Sequence, residues 1–290
     1  MIKFGPAGIS TDMRKAGVRK SVDAPQLLMN MGLNAFEYQC GRGVNISLPV
    51  ATEFGNACKT CSVTPSVHSP YYISLSSIEE DKRLKSISYI IQTAEVAKAM
   101  GGNRIVVHSG SCAKLTREEA LELAKDTLSL AAETLKEKGL EGIHICPETM
   151  GKINQLGTLE EVLQLCLVND NFIPCIDFGH LNARSFGGVK TEKDFKDILD
   201  KIENTLGYDK LKYMHCHFSK IEYSQGGEKH HLTFDDREFG PNFEPLANQF
   251  FKRGLEPTII CESADKMDRD AVRMMEIYDN IKNKKRKNKK

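Results

Sequence analysis

The sequence contains no long apolar run and lacks several short patterns that mark common protein classes. No segment approaches the roughly 20 consecutive apolar residues that a membrane-spanning helix requires. The first ten residues, MIKFGPAGIS, have no extended apolar stretch, so we expect no secretory signal and no membrane association. The pattern GxGxxG is absent after the first predicted strand, which argues against an open sheet that binds dinucleotides.

The nine cysteines do not form the spacing of a paired zinc motif. Only Cys58 and Cys61 have the CxxC spacing, and a structural zinc site would normally need a second such pair. A redox pair and a chance pair on a helix are both compatible with this spacing, and we favour the latter. An odd number of cysteines without a secretory signal indicates reduced thiols and a cytoplasmic protein.

The composition excludes a disordered chain but hides an uneven charge. Of 290 residues, 40% are hydrophobic and 27% charged, which is enough apolar material for one large core. The net charge is +1, yet residues 282–290 carry seven basic side chains and no acidic one, so the rest of the chain has a net charge of −6. The composition therefore does not indicate a globally basic nucleic-acid-binding protein. We interpret residues 282–290 as a basic, disordered tail, with a nonspecific hold on nucleic acid as the alternative.

Eight short apolar or β-branched runs alternate with amphipathic helical patterns. This alternation predicts a parallel sheet, and eight units in about 280 residues predict a single (β/α)8 barrel spanning residues 1–281. An open doubly wound sheet is the alternative. The region from Ser219 to Pro241 is predicted to be a long irregular loop. The predicted strands are Lys3–Ala7, Ala35–Gln39, Ser62–His68, Arg104–His108, Gly142–Glu148, Ile173–Asp177, Leu211–His217 and Thr258–Glu262.

Six consecutive predicted strands end in a histidine or a carboxylate, and none of these ends carries Lys or Arg. In a barrel the carboxyl ends of the strands meet on one face, where active sites are built. So many carboxylates without cations would repel one another unless a bound cation lies between them. The candidates are His68, His108, Glu148, Asp177, His180, His215, Glu228, His230 and Glu262, of which His180, Glu228 and His230 follow strand ends in loops.

The types of ligand indicate the metal. Imidazoles with carboxylates suit zinc, manganese or iron, and so many imidazoles favour zinc. An open zinc site needs about three protein ligands, so this set implies two or three ions. His217 shares the strand face of His215, and we interpret it as a donor behind the ligands. Of the adjacent His230 and His231 we expect only one to bind metal.

The motifs that carry these residues resemble the endonuclease IV family, the zinc-dependent AP endonucleases of base-excision repair. The resemblance covers nearly the whole chain. Its most specific pieces are the ordered pair Glu148-Thr-Met-Gly151 and Ile176-Asp177-Phe-Gly-His180. The other matching pieces are Val67–Leu75, Val107–Gly110, Leu156-Gly157, Met214-His215, the loop Glu228–His231, and Glu262.

The resemblance implies about three zinc ions on a (β/α)8 barrel, with Mn2+ or Fe2+ as other possibilities. The ligands would be His68, His108 and Glu148 for the first ion, Glu148, Asp177, His215 and Glu262 for the second, and His180, Glu228 and His230 for the third. Glu148 and Glu262 would be catalytic, and Tyr71 and Arg42 would contact DNA. The implied reaction is hydrolysis of the phosphodiester 5′ to an abasic site in DNA, without an obligate protein partner.

The sequence also departs from the family. Glu228 stands where members usually have aspartate, and Ser74 replaces an asparagine. No histidine follows the first strand, and the chain contains no tryptophan. The loop after the second strand, Gln39–Val44, offers only Arg42 as a DNA contact. The set of metal ligands is thus retained more fully than the residues that recognise the lesion.

A sugar isomerase or epimerase on the same kind of barrel is the alternative function. That group uses a smaller ligand set around one divalent ion, which Glu148, Asp177, His215 and Glu262 would supply. The additional histidines exceed the needs of such a site and favour the nuclease. A metal-binding barrel without catalytic activity is a third interpretation.

Overall fold

The structure is a computed structural model that describes residues 1–287, in which ten β-strands and eleven α-helices are found. Eight of the strands form one parallel sheet and the other two form a hairpin. The strands are β1 (Lys3–Pro6), β2 (Ala35–Gln39), β3 (Thr64–His68), β4 (Arg104–His108), β5 (His144–Glu148), β6 (Cys175–Asp177), β7 (His215–Phe218), β8 (Lys220–Ser224), β9 (Gly227–Leu232) and β10 (Thr258–Cys261).

The parallel sheet closes on itself. Its strand order is β1-β10-β7-β6-β5-β4-β3-β2, and β1 also meets β2 at the other edge. There the amide of Gly8 donates to the carbonyl of Glu37 at 2.9 Å, and the amide of Asn34 donates to the carbonyl of Phe4 at 3.1 Å. Closure leaves no free sheet edge in this part of the molecule. The predicted single (β/α)8 barrel is therefore confirmed.

Helices surround the barrel and connect its strands. Apolar side chains on their inner faces pack against the outward side chains of the strands, for example Phe54 against Phe36 with ring centroids 5.4 Å apart. No helix of residues 1–287 is long and apolar enough to cross a membrane. The helices are α1 (Thr11–Lys15), α2 (Ala24–Asn30), α3 (Leu48–Thr60), α4 (Glu80–Ala99), α5 (Arg117–Glu137), α6 (Leu159–Cys166), α7 (Phe178–Arg184), α8 (Glu192–Leu206), α9 (Tyr208–Lys212), α10 (Phe243–Arg253) and α11 (Met267–Lys287).

The region after β7 is more regular than predicted. Instead of a long irregular loop, β8 and β9 form an antiparallel hairpin that stands over the carboxyl end of the barrel. The pairing shifts between Glu222 and Tyr223, because Lys229 is one extra residue on β9. Such a bulge re-aims the side chains that follow it. The prediction of an irregular segment was wrong because a polar, partly exposed hairpin lacks the apolar run that marks a core strand.

The basic tail is also more ordered than predicted. Helix α11 continues to Lys287, so most of the segment 282–290 is helical; residues 288–290 lie outside the described part of the chain. Ile281 is buried, and the ammonium group of Lys285 lies 5.1 Å from the ring centroid of Phe251. These contacts continue the packing face of α11 into the basic segment, so its charge does not prevent helix formation.

Candidate metal centre

A cavity of about 330 Å³ opens at the carboxyl ends of the barrel strands. Most of the predicted metal ligands line it, together with polar residues from the loops after β2, β3 and β5. Its lining residues are Gln39, Gly41, His68, Tyr71, His108, Glu148, Met150, Lys152, Gln155, His180, Glu228, His231 and Glu262.

Glu148, the last residue of β5, lies at the centre of the ligand groups. Its Oε2 atom is 3.3 Å from the Nε2 atoms of both His68 and His108. Its Oε1 atom is 2.9 Å from the Nδ1 atom of His217. The carboxylate is buried, and each of its oxygens faces a different set of imidazoles. Glu148 thus belongs to two ligand groups and would be a ligand in both if each held an ion.

A second ligand group consists of Glu148, Asp177, His217 and Glu262, whose ligand atoms all lie within 4.8 Å of one another. Asp177 caps α7 by accepting the amide of His180 at 2.7 Å on Oδ1. Its other oxygen, Oδ2, is buried without a hydrogen-bond partner. An unpartnered, buried carboxylate oxygen costs free energy, and a cation at this point would remove that cost.

A third group is formed by His180, Glu228 and His231, whose ligand atoms also lie within 4.8 Å of one another. His180 lies in the first turn of α7, whereas Glu228 and His231 lie on β9. Gly151 allows β9 to approach, since a Cβ atom there would lie 2.7 Å from the Cβ of Glu228. The group therefore depends on the hairpin being held close to the loop after β5.

Three of the histidines have one ring nitrogen fixed by a backbone carbonyl. Nδ1 of His68 donates to the carbonyl of Ser69 and Nδ1 of His180 to that of Thr149, both at 2.8 Å. Nδ1 of His108 lies 3.3 Å from the carbonyl of Tyr71. A carbonyl can only accept, so Nδ1 carries a proton, and Nε2, which faces the carboxylates, is the nitrogen whose lone pair a metal ion would take in place of a proton. This is the tautomer that a metal ligand requires, and it fits the residues to a divalent cation.

The electrostatics of the cavity favour cations. Burial alone would lower the pKa of His68, but the hydrogen bond and charge of Glu148 outweigh it and raise that pKa to about 9. Burial opposes the charged form of His180 in the same way, and Asp177 and Glu228 raise its pKa to about 9. Although burial would raise the pKa of Glu148, the neighbouring imidazoles hold it well below its usual value. Glu148 therefore stays ionised and attracts positive charge, either protons or metal ions.

The structure places His217, and not His215, in the second ligand group. His215 pairs in register with Cys175 and Thr258, whereas His217 pairs with Asp177, so His215 lies one interior layer deeper. The strand continues to Phe218, beyond the predicted end at His217. The expectation for His215 is therefore corrected: both histidines face the barrel interior, and the one nearer the carboxyl end reaches the cavity.

His230 is also placed away from the cavity. Its side chain is 58% exposed and its Nε2 atom lies 3.2 Å from Glu222. Because of the bulge at Lys229, His231 lies on the same face of β9 as Glu228, three residues before it. In a regular strand the alternation would have placed His230 there, and this is the physical reason for the correction.

The two predicted DNA contacts have different positions. Tyr71 lines the cavity and is 58% exposed, so its ring is available to a ligand. Arg42 is exposed on the loop after β2 but is not among the lining residues. The proposed catalytic residues, Glu148 and Glu262, both line the cavity.

Three residues of the site were not expected from the sequence. Glu37 is a fully buried carboxylate on β2, below the cavity. Lys152 and Gln155 lie on the loop after β5 and line the cavity wall. Glu37 could have been found from the sequence, because a carboxylate on the inward face of an otherwise apolar strand is unusual. Lys152 could not, because it follows a motif glycine in a loop, where no periodicity predicts which way a side chain points.

The profile of the xylose isomerase-like TIM barrel family matches residues 25–278. The chain belongs to this family. It is 34% identical over 284 residues to an uncharacterized protein of Methanocaldococcus jannaschii, covering 97% of this chain and 98% of that protein. It is 29% identical over 223 residues to a probable endonuclease 4 of Finegoldia magna, covering 74% of each.

Solved structures also share the barrel. A D-tagatose 3-epimerase-like protein superposes with a TM-score of 0.70 at 21% identity, covering 97% of both chains. Endonuclease IV from Thermus thermophilus gives a TM-score of 0.66 at 18% identity, covering 97% of this chain and 99% of the other. At these identities the superpositions establish the fold. The resemblance to endonuclease IV that the motifs predict is confirmed by the relatives of that name.

Proposed function

We propose that this protein is a zinc-dependent hydrolase that cleaves DNA on the 5′ side of abasic sites. The observation that carries this proposal is the presence of three ligand groups around one cavity, two of which share Glu148. A sugar isomerase of the same family of barrels would need only the group of Glu148, Asp177, His217 and Glu262. The groups around His68 and His180 are then unexplained, whereas a phosphodiester hydrolase uses several ions.

Divalent ions in these groups would supply Lewis-acid activation of water and of the phosphate oxygens. The protein's own part is to hold the ligands and orient the substrate. The backbone carbonyls that accept from Nδ1 of His68, His108 and His180 fix three imidazoles before any ion binds. This preorganisation keeps the ligand atoms at the correct positions during the reaction. Mn2+ or Fe2+ would suit the same donors.

The cavity also offers positions for the substrate backbone. Lys152 is its only lining lysine or arginine, and no carboxylate of residues 1–287 lies within ion-pair distance of it. Across the opening, the exposed ring of Tyr71 can pack against a sugar or base. In this proposal Lys152 contacts a phosphate beside the scissile bond, Tyr71 holds the abasic nucleotide, and Arg42 contacts the DNA outside the cavity.

The test is cleavage of a labelled duplex that contains one stable abasic-site analogue. Zinc-loaded protein is expected to cut this duplex on the 5′ side of the analogue and to leave the intact duplex uncut. Because the loop after β2 offers little to stabilise an extruded lesion, we expect relatively better cleavage of a matched single strand. His180→Ala is the inactive control. Wild-type protein no faster than this variant on both substrates would refute the proposal.

A sugar epimerase is the second candidate, because the single four-ligand group would suffice and an epimerase-like protein has the same fold. The two functions differ in a direct readout. An epimerase exchanges the proton on the carbon beside a ketose carbonyl with solvent, and a phosphodiester hydrolase does not. Deuterium incorporation into a panel of ketoses, without cleavage of abasic DNA, would establish the epimerase.

All nine cysteines are free and buried, in agreement with the expected reduced thiols. We extend the proposal to a protein of the cytoplasm that acts without an obligate protein partner, since the three ligand groups are complete within one chain.

A further inference from the structure

Glu37 is a charged residue inside the barrel that the proposed function does not use. Its side chain has no solvent exposure, and polar groups surround it. Ser66 Oγ donates to Oε2 at 2.9 Å, and Nε2 of His215 lies 2.9 Å from the same oxygen. Gln39, which lines the cavity above, donates to Oε1 at 3.3 Å. The Oε2 atom thus has two partners, and Oε1 has Gln39 and a further neighbour, His217.

The ring of His217 lies between two carboxylates. Its Nδ1 atom is 2.9 Å from Oε1 of Glu148, and its Nε2 atom is 2.9 Å from Oε1 of Glu37. Nε2 is buried, and its contact with Glu37 is close but not aligned as a regular hydrogen bond. Nδ1 faces the second ligand group and Nε2 faces away from it, so Glu37 lies behind the ligand.

His217 differs from the other imidazoles of the cavity in this respect. His68 and His180 present Nε2 to the cavity and have Nδ1 fixed by a backbone carbonyl. His217 has the opposite orientation, and the partner of its outer nitrogen is a carboxylate. A partner of this kind fixes the tautomer and increases the electron density on the opposite nitrogen more than a neutral carbonyl does.

We propose that Glu37 is a positioning residue that keeps the proton of His217 on Nε2 and thereby directs the Nδ1 lone pair at the ion of the second ligand group. This inference rests on the metal centre of the proposed function. It also accounts for a carboxylate in the barrel interior, since a buried charge is retained where it has partners and a ligand to orient. Ser66 and His215 keep Glu37 itself in place.

The test compares zinc affinity in the full-length Glu37→Gln variant and the wild type, measured by competition with a chelator. The variant keeps the size of the side chain and removes its charge. We expect one of the bound ions to bind about 10–100-fold more weakly and the others to be unchanged. Asp270→Asn is the matched control, because Asp270 is equally buried, lies on α11 and is paired with Arg273. Unchanged affinity for every ion in Glu37→Gln would overturn the inference.

A spectroscopic readout separates positioning from a general loss of structure. In the Co2+-loaded protein, the Nε2 proton of a histidine that binds through Nδ1 gives a strongly shifted, exchangeable proton resonance. We expect that resonance in the wild type and in Asp270→Asn, and its loss or displacement in Glu37→Gln. An identical spectrum in Glu37→Gln would overturn the inference.

A milder variant covers the case in which Glu37→Gln does not fold. Ser66→Ala removes one donor to Oε2 of Glu37 and leaves the charge in place. We expect a several-fold weaker affinity for the same single ion, and equal affinity would overturn the inference. Failure of the proposed function would look different, because a wild type that binds its ions but does not cleave abasic DNA leaves the positioning role of Glu37 intact.

Discussion

Among the described residues 1–287, Lys152 is the one lysine or arginine that lines the cavity. Such a residue has no obvious use for a neutral sugar but fits a phosphate. Its backbone is well fixed, because its carbonyl accepts from Nη1 of Arg184 at 2.7 Å. The loop thus presents the lysine at a fixed point of the cavity wall, from which its flexible side chain can bring a point charge to a phosphate.

Replacing Lys152 by Gln is therefore expected to raise KM for abasic DNA by about tenfold, equivalent to about 1.4 kcal/mol, with a smaller effect on kcat. The slope of log affinity for DNA against log salt concentration should also decrease in magnitude by about one, because one phosphate contact is lost. Lys138→Gln is the matched control. Lys138 is exposed and follows α5 directly, on the side of the barrel where β5 begins and opposite to the cavity. Equal KM values for the two variants would exclude a phosphate contact by Lys152.

The adjacent histidines of β9 allow a paired experiment. His231 lies with His180 and Glu228, whereas His230 is exposed beside Glu222. We expect His231→Ala to lose one bound zinc ion per chain and His230→Ala to retain all of them. Elemental analysis of both variants after dialysis measures this directly. The opposite pattern would show that β9 binds the ion without the bulge at Lys229.

Most of the metal centre was predictable at the level of residue type and strand end. His68, His108, Glu148 and Asp177 end their strands, and that position alone places the first three in the cavity wall and Asp177 in the ligand group beside it. The sequence did not distinguish His217 from His215, because both face inward and the choice depends on where the strand ends. It did not distinguish His231 from His230, because a bulge reverses the alternation and leaves no trace in the pattern of residue types.

At the scale of elements, the loop after β5 and the β8–β9 hairpin behave as one unit. The amide of Ile153 donates to the carbonyl of Gly226 at 3.1 Å, and that of Glu228 donates to Gly151 at 3.2 Å. Arg184, the last residue of α7, donates to four carbonyls of the loop, those of Met150, Lys152, Ile153 and Gln155. Arg117 donates to two of the same carbonyls, those of Ile153 and Gln155, so two guanidinium groups hold the loop. The loop in turn holds the hairpin, which supplies Glu228 and His231.

Loss of the Arg184 guanidinium group should weaken the binding of an ion to the third ligand group, although Arg184 is not itself a ligand. We expect Arg184→Ala to lower the free energy of unfolding by about 1.5–3 kcal/mol, since charged hydrogen bonds to carbonyls are lost. Amide exchange in residues 150–157 and 226–231 should accelerate, and the ion of the third group should bind more weakly. Arg184→Lys should rescue little of this, because one ammonium group cannot reach four carbonyls. Unchanged exchange in the hairpin would contradict the coupling.

The eight barrel strands were predictable because each is a short apolar run that precedes a helical pattern. The hairpin was not, because its strands carry Lys, Glu and His on exposed faces and gain their stability from the loop below. Helix α9 replaces the predicted beginning of β7 at Leu211, since Tyr208–Lys212 forms a single helical turn that leads into the strand. Local sequence patterns do not reveal such tertiary support.

At the scale of the whole molecule, the negative net charge of the barrel is the feature that fits the proposed DNA substrate least well. Outside residues 282–290 the net charge is −6, whereas DNA attracts basic surfaces. Deletion of residues 282–290 is expected to weaken DNA binding and to flatten the dependence of log Kd on log salt concentration, because fewer counterions are released. Binding measured at salt concentrations between about 50 and 200 mM tests this, because affinity that depends on phosphate contacts changes strongly over that range. An unchanged slope would show that residues 282–290 make no contribution to DNA binding.

The number of metal ions per chain tests the central claim most directly. Three ligand groups, two of which share Glu148, predict about three zinc ions per chain in saturated, dialysed protein. Glu148→Gln should lose more than one of them, because one carboxylate serves two groups, whereas Asp270→Asn should lose none. Elemental analysis that finds a single tightly bound ion in the wild type would contradict the account and would favour the single-ion site of a sugar isomerase.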